Sequence, residues 1–296
     1  SPSAYAAAKE ANVRVVQSIH NFRLICAGAT LLRDENVCEI CVGKSIPWQG
    51  ALHRCYRGSL PASATLVAFQ TLHRFLGTWE KYVDAFVALS RFSQEKLIEG
   101  GLPANKFVVK PNFIDPDPGL GHGKGDYFVF VGRLANEKGI QVLLDAWKSL
   151  KTPQTLKIVG DGPLASLVQT ATEADERIEW LKRQPLETVY ELVGDAKALI
   201  MPSIWYEVCP KTILESLAKG TPVITSKLGG MRELVDDGKT GRLFQPGDAT
   251  DLAETVDSFA SDDQASVLRE NARAVFESRY TADQNYEMLM AIYHGP

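Results

Sequence analysis

The chain has 296 residues, 45% of them hydrophobic and 23% charged, with a formal net charge of −4. That balance lies near the globular average and excludes a disordered chain, a collagen-like repeat and a low-complexity segment. At roughly 100–200 residues per domain it predicts two domains, and its longest apolar runs fall far short of the roughly 20 residues that a membrane helix needs.

The elements are taken in chain order. Residues 1–12 have neither the basic start nor the apolar core of a signal peptide, and the first residue is Ser1 rather than Met. A short β-branched run at 13–18 predicts a strand. Residues 21–57 show no clean period and hold four of the five cysteines. Helical spacing of apolar residues covers 58–82, a strand is expected at 84–89, and a helix at 91–100, where Gly100-Gly101 and Pro103 stop it. A strand follows at 106–110. Residues 112–126, with four Gly and two Pro in 15 positions, are the best linker candidate.

Beyond the linker the pattern is regular. Strands are expected at Tyr127–Val131, Thr155–Val159, 177–181, Ala198–Met201, 222–225 and Gly241–Phe244. Helices are expected at 138–150, 164–174, 186–193, 210–219 and 231–235, then three mostly polar ones at 249–259, 262–278 and 282–292. Strand–helix alternation with short loops predicts right-handed parallel β-α units with helices on both faces. Three strands before the linker are half a sheet, which leaves an edge uncovered; the expectation is that sequence upstream of Ser1 completes it. The charge is uneven as well: 13 basic against 9 acidic residues up to Asp115, and 19 against 27 beyond it. A basic first part suits an anionic acceptor or a membrane surface, or is ordinary surface variation. No basic tract interleaved with aromatics points to nucleic acid.

Ligands of doubly wound sheets bind beyond the carboxyl ends of the strands, against helix N-termini. The first strand after the linker ends in Gly132-Arg133, with Lys138 just after, two cations placed to hold a diphosphate. The second ends in Gly160-Asp161-Gly162-Pro163-Leu164-Ala165, which fits G-x-G-x-x-A but equally an ordinary tight turn with Pro163 opening a helix. The fourth runs into PSIWYEVCPKTILESLA, with Glu207 in the loop and Glu215 in the next helix. Carboxylates suit hydroxyl recognition, and free N–H groups at a helix start suit phosphate, so this site suits a sugar nucleotide. The fifth strand ends before Gly229-Gly230, where backbone can approach closely.

With these motifs in order (FVGRLANEKGIQVLLDAW, IVGDGP, MPSIWYEVCPKTILESLAKGTPVITSKLGGMRELVDDGKTGRLFQPGDATDLA), the chain resembles the donor-binding domain of retaining GT-B glycosyltransferases of the group 1, or GT4, family. The upstream stretches VRVVQSIHNFRLICAG and VALSRFSQEKLIEGGLPANKFVVKPNFID resemble the later part of that family's first domain. The resemblance implies an α/β, GT-B-like fold of two Rossmann-like domains facing a cleft, the first incomplete: a partial acceptor-side domain at 1–115, a nucleotide-sugar-binding domain at 116–280, and a helix at 281–296 crossing back. It implies that Arg133 and Lys138 hold the donor diphosphate, Glu207 the hydroxyls of the transferred sugar, and Glu215 the ribose diol. Backbone near Val208-Cys209 would meet the distal phosphate or sugar, where the family commonly has a glycine and an aromatic. Gly160-Asp161-Gly162 would loop near the nucleotide, and His20 would sit beside the transferred sugar.

The implied function is transfer of a sugar from a nucleotide sugar to an acceptor hydroxyl with retention and without a catalytic metal or other cofactor. Alternatives are a non-catalytic sugar-nucleotide-binding fragment and a nucleotide-sugar epimerase of the same fold. The expected setting is polysaccharide biosynthesis in the cytoplasm or at the inner face of the membrane, on a glycan, lipid-linked or small-molecule acceptor. The cysteines stand apart. Cys38 and Cys41 form a C-x2-C pair, with Cys26 and Cys55 at outer spacings of 11 and 13 residues. Free thiols, a structural zinc on these four, and disulfides all remain open readings.

Overall fold

The structure is a computed structural model that describes residues 2–261 and 265–295. It divides into two compact units, Ser1–Pro111 with Tyr286–Pro296, and Asn112–Asn285.

The first unit opens with helix α1 (Pro2–Glu10) and strand β1 (Val16–Ile19). A hairpin of β2 (Leu32–Arg33) and β3 (Asn36–Val37) follows, then the short α2 (Gln49–Leu52), α3 (Leu60–Phe75) and α4 (Thr78–Tyr82). Next come β4 (Ala85–Ala88), α5 (Arg91–Glu99) and β5 (Phe107–Val109). Its sheet is parallel, in the order β1-β4-β5, with Val16 opposite Ala85 and Phe86 opposite Phe107. The expected strand at 13–18 starts later because the Val15 N–H is taken by the Asp84 carboxylate, 2.8 Å away. The helical pattern at 58–82 is two helices, not one. Gly77 adopts a left-handed φ of 64° between α3 and α4, a conformation that costs other residues energy. Ser59 caps α3 with Pro61 in its first turn, and Ser90 with Ser93 forms a capping box on α5.

The second unit contains β6 (Tyr127–Val131), α6 (Ile140–Ser149), β7 (Thr155–Val159), α7 (Ala165–Ala174) and β8 (Ile178–Lys182). It continues through α8 (Leu186–Asp195), β9 (Ala198–Met201), α9 (Lys211–Ala218), β10 (Val223–Ser226), α10 (Met231–Leu234) and β11 (Gly241–Phe244). Three helices close the chain, α11 (Ala249–Ala260), α12 (Ala265–Arg279) and α13 (Ala282–His294). The helix expected at 262–278 begins on residues 262–264, which lie outside the described residues. Residues of α13 from Tyr286 onward belong to the first unit, where Ile292 packs on Ala85 and Val87.

The six strands are all parallel, in the order β11-β10-β9-β6-β7-β8. This is the doubly wound arrangement, with chain order reversing between β6 and β9. Helix α6 forms because Ile140, Leu143, Leu144 and Trp147 recur at one-turn spacing, and all four are buried. Trp147 meets Phe128 edge-on at 5.9 Å and donates its Nε1–H to the Gln154 carbonyl at 3.0 Å. Deleting so large a buried side chain costs about 3–5 kcal/mol.

The stretch 112–126, expected to be a linker, is bound along the second unit. The amides of Gly121, Gly123 and Gly125 donate to the carbonyls of Lys219, Gly194 and Asp195 at 2.9–3.0 Å. Asp117 accepts two bonds from Arg273, at 2.8 and 2.6 Å. Glycine is required at position 121, since a Cβ there would lie 2.2 Å from Gly194 Cα. The Gly/Pro composition reflects close backbone approach, not slack.

Candidate functional site

The reversal between β6 and β9 splays the loops that follow these strands and opens a crevice at their carboxyl ends. The loop after β6 carries Gly132, Arg133 and a single 3-10 turn, Asn136–Lys138, where the sequence predicted the start of a regular helix. The loop after β9 carries Pro202 to Pro210. The two loops interlock. The Ile204 N–H donates to the Glu137 carbonyl at 3.0 Å. Gly139 has a φ of 72°, and a Cβ there would stand 1.9 Å from the Pro202 carbonyl oxygen.

This interlock brings Lys138 and Glu207 together, with Lys138 Nζ 2.5 Å from Glu207 Oε1. The same oxygen accepts from Trp205 Nε1 at 2.8 Å and Ser203 Oγ at 3.2 Å. Glu207 is 8% exposed, so three donors on one oxygen are what make a buried carboxylate tolerable there. Trp205 is thus a positioning partner, and Lys138 Nζ also lies 5.6 Å from its ring centroid.

Gly229 and Gly230 press on the Glu207 loop from the other side. Gly230 N–H donates to the Glu207 carbonyl at 2.8 Å, and a Cβ at 230 would come within 2.0 Å of the Val208 carbonyl oxygen. Val208 and Cys209 are buried, and the Cys209 carbonyl accepts from Asn112 Nδ2 at 2.8 Å. Glu215 is the fifth residue of α9 and half-buried. Burial holds its carboxyl above the usual range, and Lys211 at the start of α9 opposes that shift.

A second group of the expected residues surrounds an open cavity of about 860 Å³ at the ends of β6, β7 and β8. Gly132, Arg133, Gly160, Asp161 and Gly162 line it. Gly160 has a φ of 138°, and a Cβ there would sit 1.8 Å from the Gly132 carbonyl oxygen, so the two loops touch backbone to backbone. Asp161 caps its own turn by accepting the Gly162 N–H at 2.7 Å. Arg133 is exposed and turned to the cavity wall. Lys138, Glu207 and Glu215 are not among the lining residues. Arg183 and Gln184, which sequence reasoning missed, are. The only signal for Arg183 was its place just beyond β8, a strand end with no recognisable motif.

In the first unit, His20 is exposed at the carboxyl end of β1. Cys26, Cys38, Cys41 and Cys55 line one small enclosed cavity, while Cys209 lies in the second unit. All five are free thiols. Burial pushes the Cys41 thiol up to about 11, with neighbouring Cys26 adding to the effect. As their side chains stand, the four do not make a finished ligand set: among the described residues, no three His, Cys, Asp or Glu groups are placed to hold a metal ion. No helix among the described residues is long and apolar enough to cross a membrane.

Comparison with known proteins agrees with this geometry. Residues 116–275 match the family model described as glycosyl transferases group 1. Over 175 residues the chain is 27% identical to the uncharacterized glycosyltransferase MJ1178 of Methanocaldococcus jannaschii, covering 58% of this chain and 48% of that protein. It is also 27% identical, over 228 residues, to the amylovoran biosynthesis glycosyltransferase AmsK of Erwinia amylovora, covering 71% of this chain and 56% of that one. The chain therefore spans about half the length of these curated relatives. Among solved structures, Anabaena Alr3699/HepE in complex with UDP superposes with a TM-score of 0.73 at 18% identity, over 99% of this chain and 76% of that one. The same protein with UDP-glucose gives 0.70 at 18% identity, over 97% and 75%. The likeness is one of fold, a GT-B-like α/β architecture with parallel sheets. Since the family match covers more than half of the sequence and includes the whole Lys138–Glu207 constellation, the chain belongs to the group 1 glycosyl transferases.

Proposed function

We propose that the protein is a retaining, GT4-type hexosyltransferase that moves a sugar from a nucleotide diphosphate donor to an acceptor hydroxyl. The observation that carries this reading is the buried Lys138–Glu207 pair at the reversal point of the six-stranded sheet. Without ligand each group neutralises the other. With donor, Lys138 can turn to the diphosphate while Glu207, held by Trp205 and Ser203, accepts hydrogen bonds from sugar hydroxyls. Arg133, on the same loop, supplies a second cation, and Arg183 across the cavity supplies a third.

In this reading the leaving diphosphate gathers negative charge as the anomeric bond breaks, and fixed cations stabilise that charge without a metal. The sugar passes through an oxocarbenium-like state. The acceptor hydroxyl attacks from the face the diphosphate leaves, losing its proton to the departing phosphate. Glu215 binds the ribose diol, Gly160-Asp161-Gly162 flanks the nucleotide, the Val208-Cys209 backbone meets the distal phosphate or sugar, and His20 contacts the transferred sugar. The name of one relative, an amylovoran biosynthesis glycosyltransferase, supports a role in polysaccharide biosynthesis; the cytoplasm is the proposed setting, and the basic first part of the chain suits an acceptor at the membrane's inner face.

Thermal-shift titration of the protein against UDP-, GDP-, ADP- and dTDP-sugars tests the donor assignment, because stabilisation follows occupancy. One nucleotide-sugar class should stabilise the protein, and Arg133→Ala should abolish the shift. No response to any of them would overturn the reading. Retention is tested separately by NMR of the product's anomeric proton, and metal independence by an unchanged rate when divalent cations are omitted from the assay.

A further inference from the structure

The four cysteines of the first unit come from a segment with little regular secondary structure, packed through Phe22, Ile25 and Leu31. Between β1 and α3 the regular structure is a hairpin of two-residue strands and the four-residue α2. Six non-glycine residues there, Ala29, Leu31, Asp34, Glu35, Arg54 and Arg57, adopt left-handed φ values between 49° and 67°. Each such conformation costs about 1 kcal/mol or more and persists only where the surroundings enforce it. At the centre of this segment Cys26, Cys38, Cys41 and Cys55 enclose a cavity of about 20 Å³. That is room for little more than one water-sized sphere.

One further feature suits an anionic centre. Arg33 lines the same cavity; its Nε lies 3.4 Å from Asp34 Oδ2, while its Nη1 is buried with no hydrogen-bond partner. A buried guanidinium nitrogen with nothing to donate to is costly unless a negative group stands in front of it.

We propose that Cys26, Cys38, Cys41 and Cys55 bind one structural zinc ion. Binding converts four thiols to thiolates, releases four protons, and leaves a tetrathiolate centre of net charge −2 facing the Arg33 guanidinium. The sulfurs reach tetrahedral positions, with Zn–S near about 2.3 Å, by side-chain rotation about an already gathered backbone. The metal cross-links the loop that begins beside His20 to the N-terminal end of α3. It has no part in the chemistry proposed for the second unit.

Elemental analysis of the full chain, purified without chelator, should find about one zinc per chain. Cobalt replacing it should show thiolate-to-metal charge transfer and tetrahedral ligand-field bands. Cys38→Ser/Cys41→Ser should remove the metal, and Cys209→Ser should keep it. Absence of zinc together with a cobalt titration lacking the thiolate band overturns the proposal. So does full metal retention in the double variant, or a mass spectrum of alkylated, unreduced protein showing two disulfides. If the double variant does not fold, the cobalt spectrum of the unaltered chain still decides.

Discussion

Lys138 and Glu207, 69 positions apart, meet at 2.5 Å because β6 and β9 are neighbours in the sheet. The pair has two jobs that mutation can separate. Lys138→Ala leaves a buried carboxylate without its counter-ion and should cost about 2 kcal/mol, less than a fully enclosed pair because 23% of the Lys138 side chain is exposed. Lys138→Ala/Glu207→Gln should recover most of that loss in urea denaturation. Donor affinity should stay at least tenfold down in both variants. Recovery of donor binding along with stability would show the pair to be purely structural.

Glu215 offers a stability gain at the expense of binding. Its folded-state carboxyl is raised above the unfolded value by burial, so ionisation opposes folding. The sign follows: the penalty is absent when both states are protonated, below about 4.3, and is complete once pH exceeds the folded value. Glu215→Gln should therefore raise Tm at neutral pH, and the gain should fade on acidification through the carboxyl range. Thermal melts at a series of pH values check this. Nucleotide-sugar affinity should fall in the same variant, as expected for a group kept for function.

Much of this was legible in the sequence. The strands Tyr127–Val131, Thr155–Val159, Ala198–Met201 and Gly241–Phe244 lie where apolar runs between turn residues predicted them, because both faces of a parallel sheet are covered. The residues at their ends could be read once strand order was assumed. Elements without a local signature could not. The β2–β3 hairpin and α2 have no period, and the irregular stretch before them is held by distant contacts such as Gln70 Nε2 on the Arg23 carbonyl at 2.6 Å. Arg183 follows an irregular β8, whose last residue Lys182 has a φ of 57°. The role of Trp205 could not be read, because a side-chain N–H aimed at a carboxylate leaves no trace in spacing.

Gly230→Ala tests how tightly the Glu207 loop is set. The added methyl would meet the Val208 carbonyl oxygen at 2.0 Å, a backbone atom that cannot swing away like a side chain. The loop must shift, and donor affinity should fall more than tenfold while far-ultraviolet circular dichroism stays unchanged. Wild-type affinity in this variant would mean that the loop's position is not critical.

The Asp117–Arg273 pair fastens residues 112–126 to α12. Arg273 holds the Asp117 carboxyl below the usual range. A depressed carboxyl stabilises the fold above its unfolded value, about 3.9, and that contribution is lost as pH falls through the folded value. Asp117→Asn should cost about 1 kcal/mol at neutral pH, a modest figure because the Asp117 side chain is 44% exposed. The difference from the unaltered protein should vanish in acid, as read by denaturant unfolding.

The path of residues 112–126 also bears on where this protein can be cut. The family match begins at residue 116, and a fragment started there would keep every motif that the sequence places after β6. It would discard Asn112, whose side chain holds the Cys209 carbonyl two residues from Glu207, and Ile114, whose amide is bonded to Tyr280 at 3.1 Å. The structural edge of the second unit lies four residues before its signature does. A protein engineer who trims to the signature removes the clasp and keeps the blade.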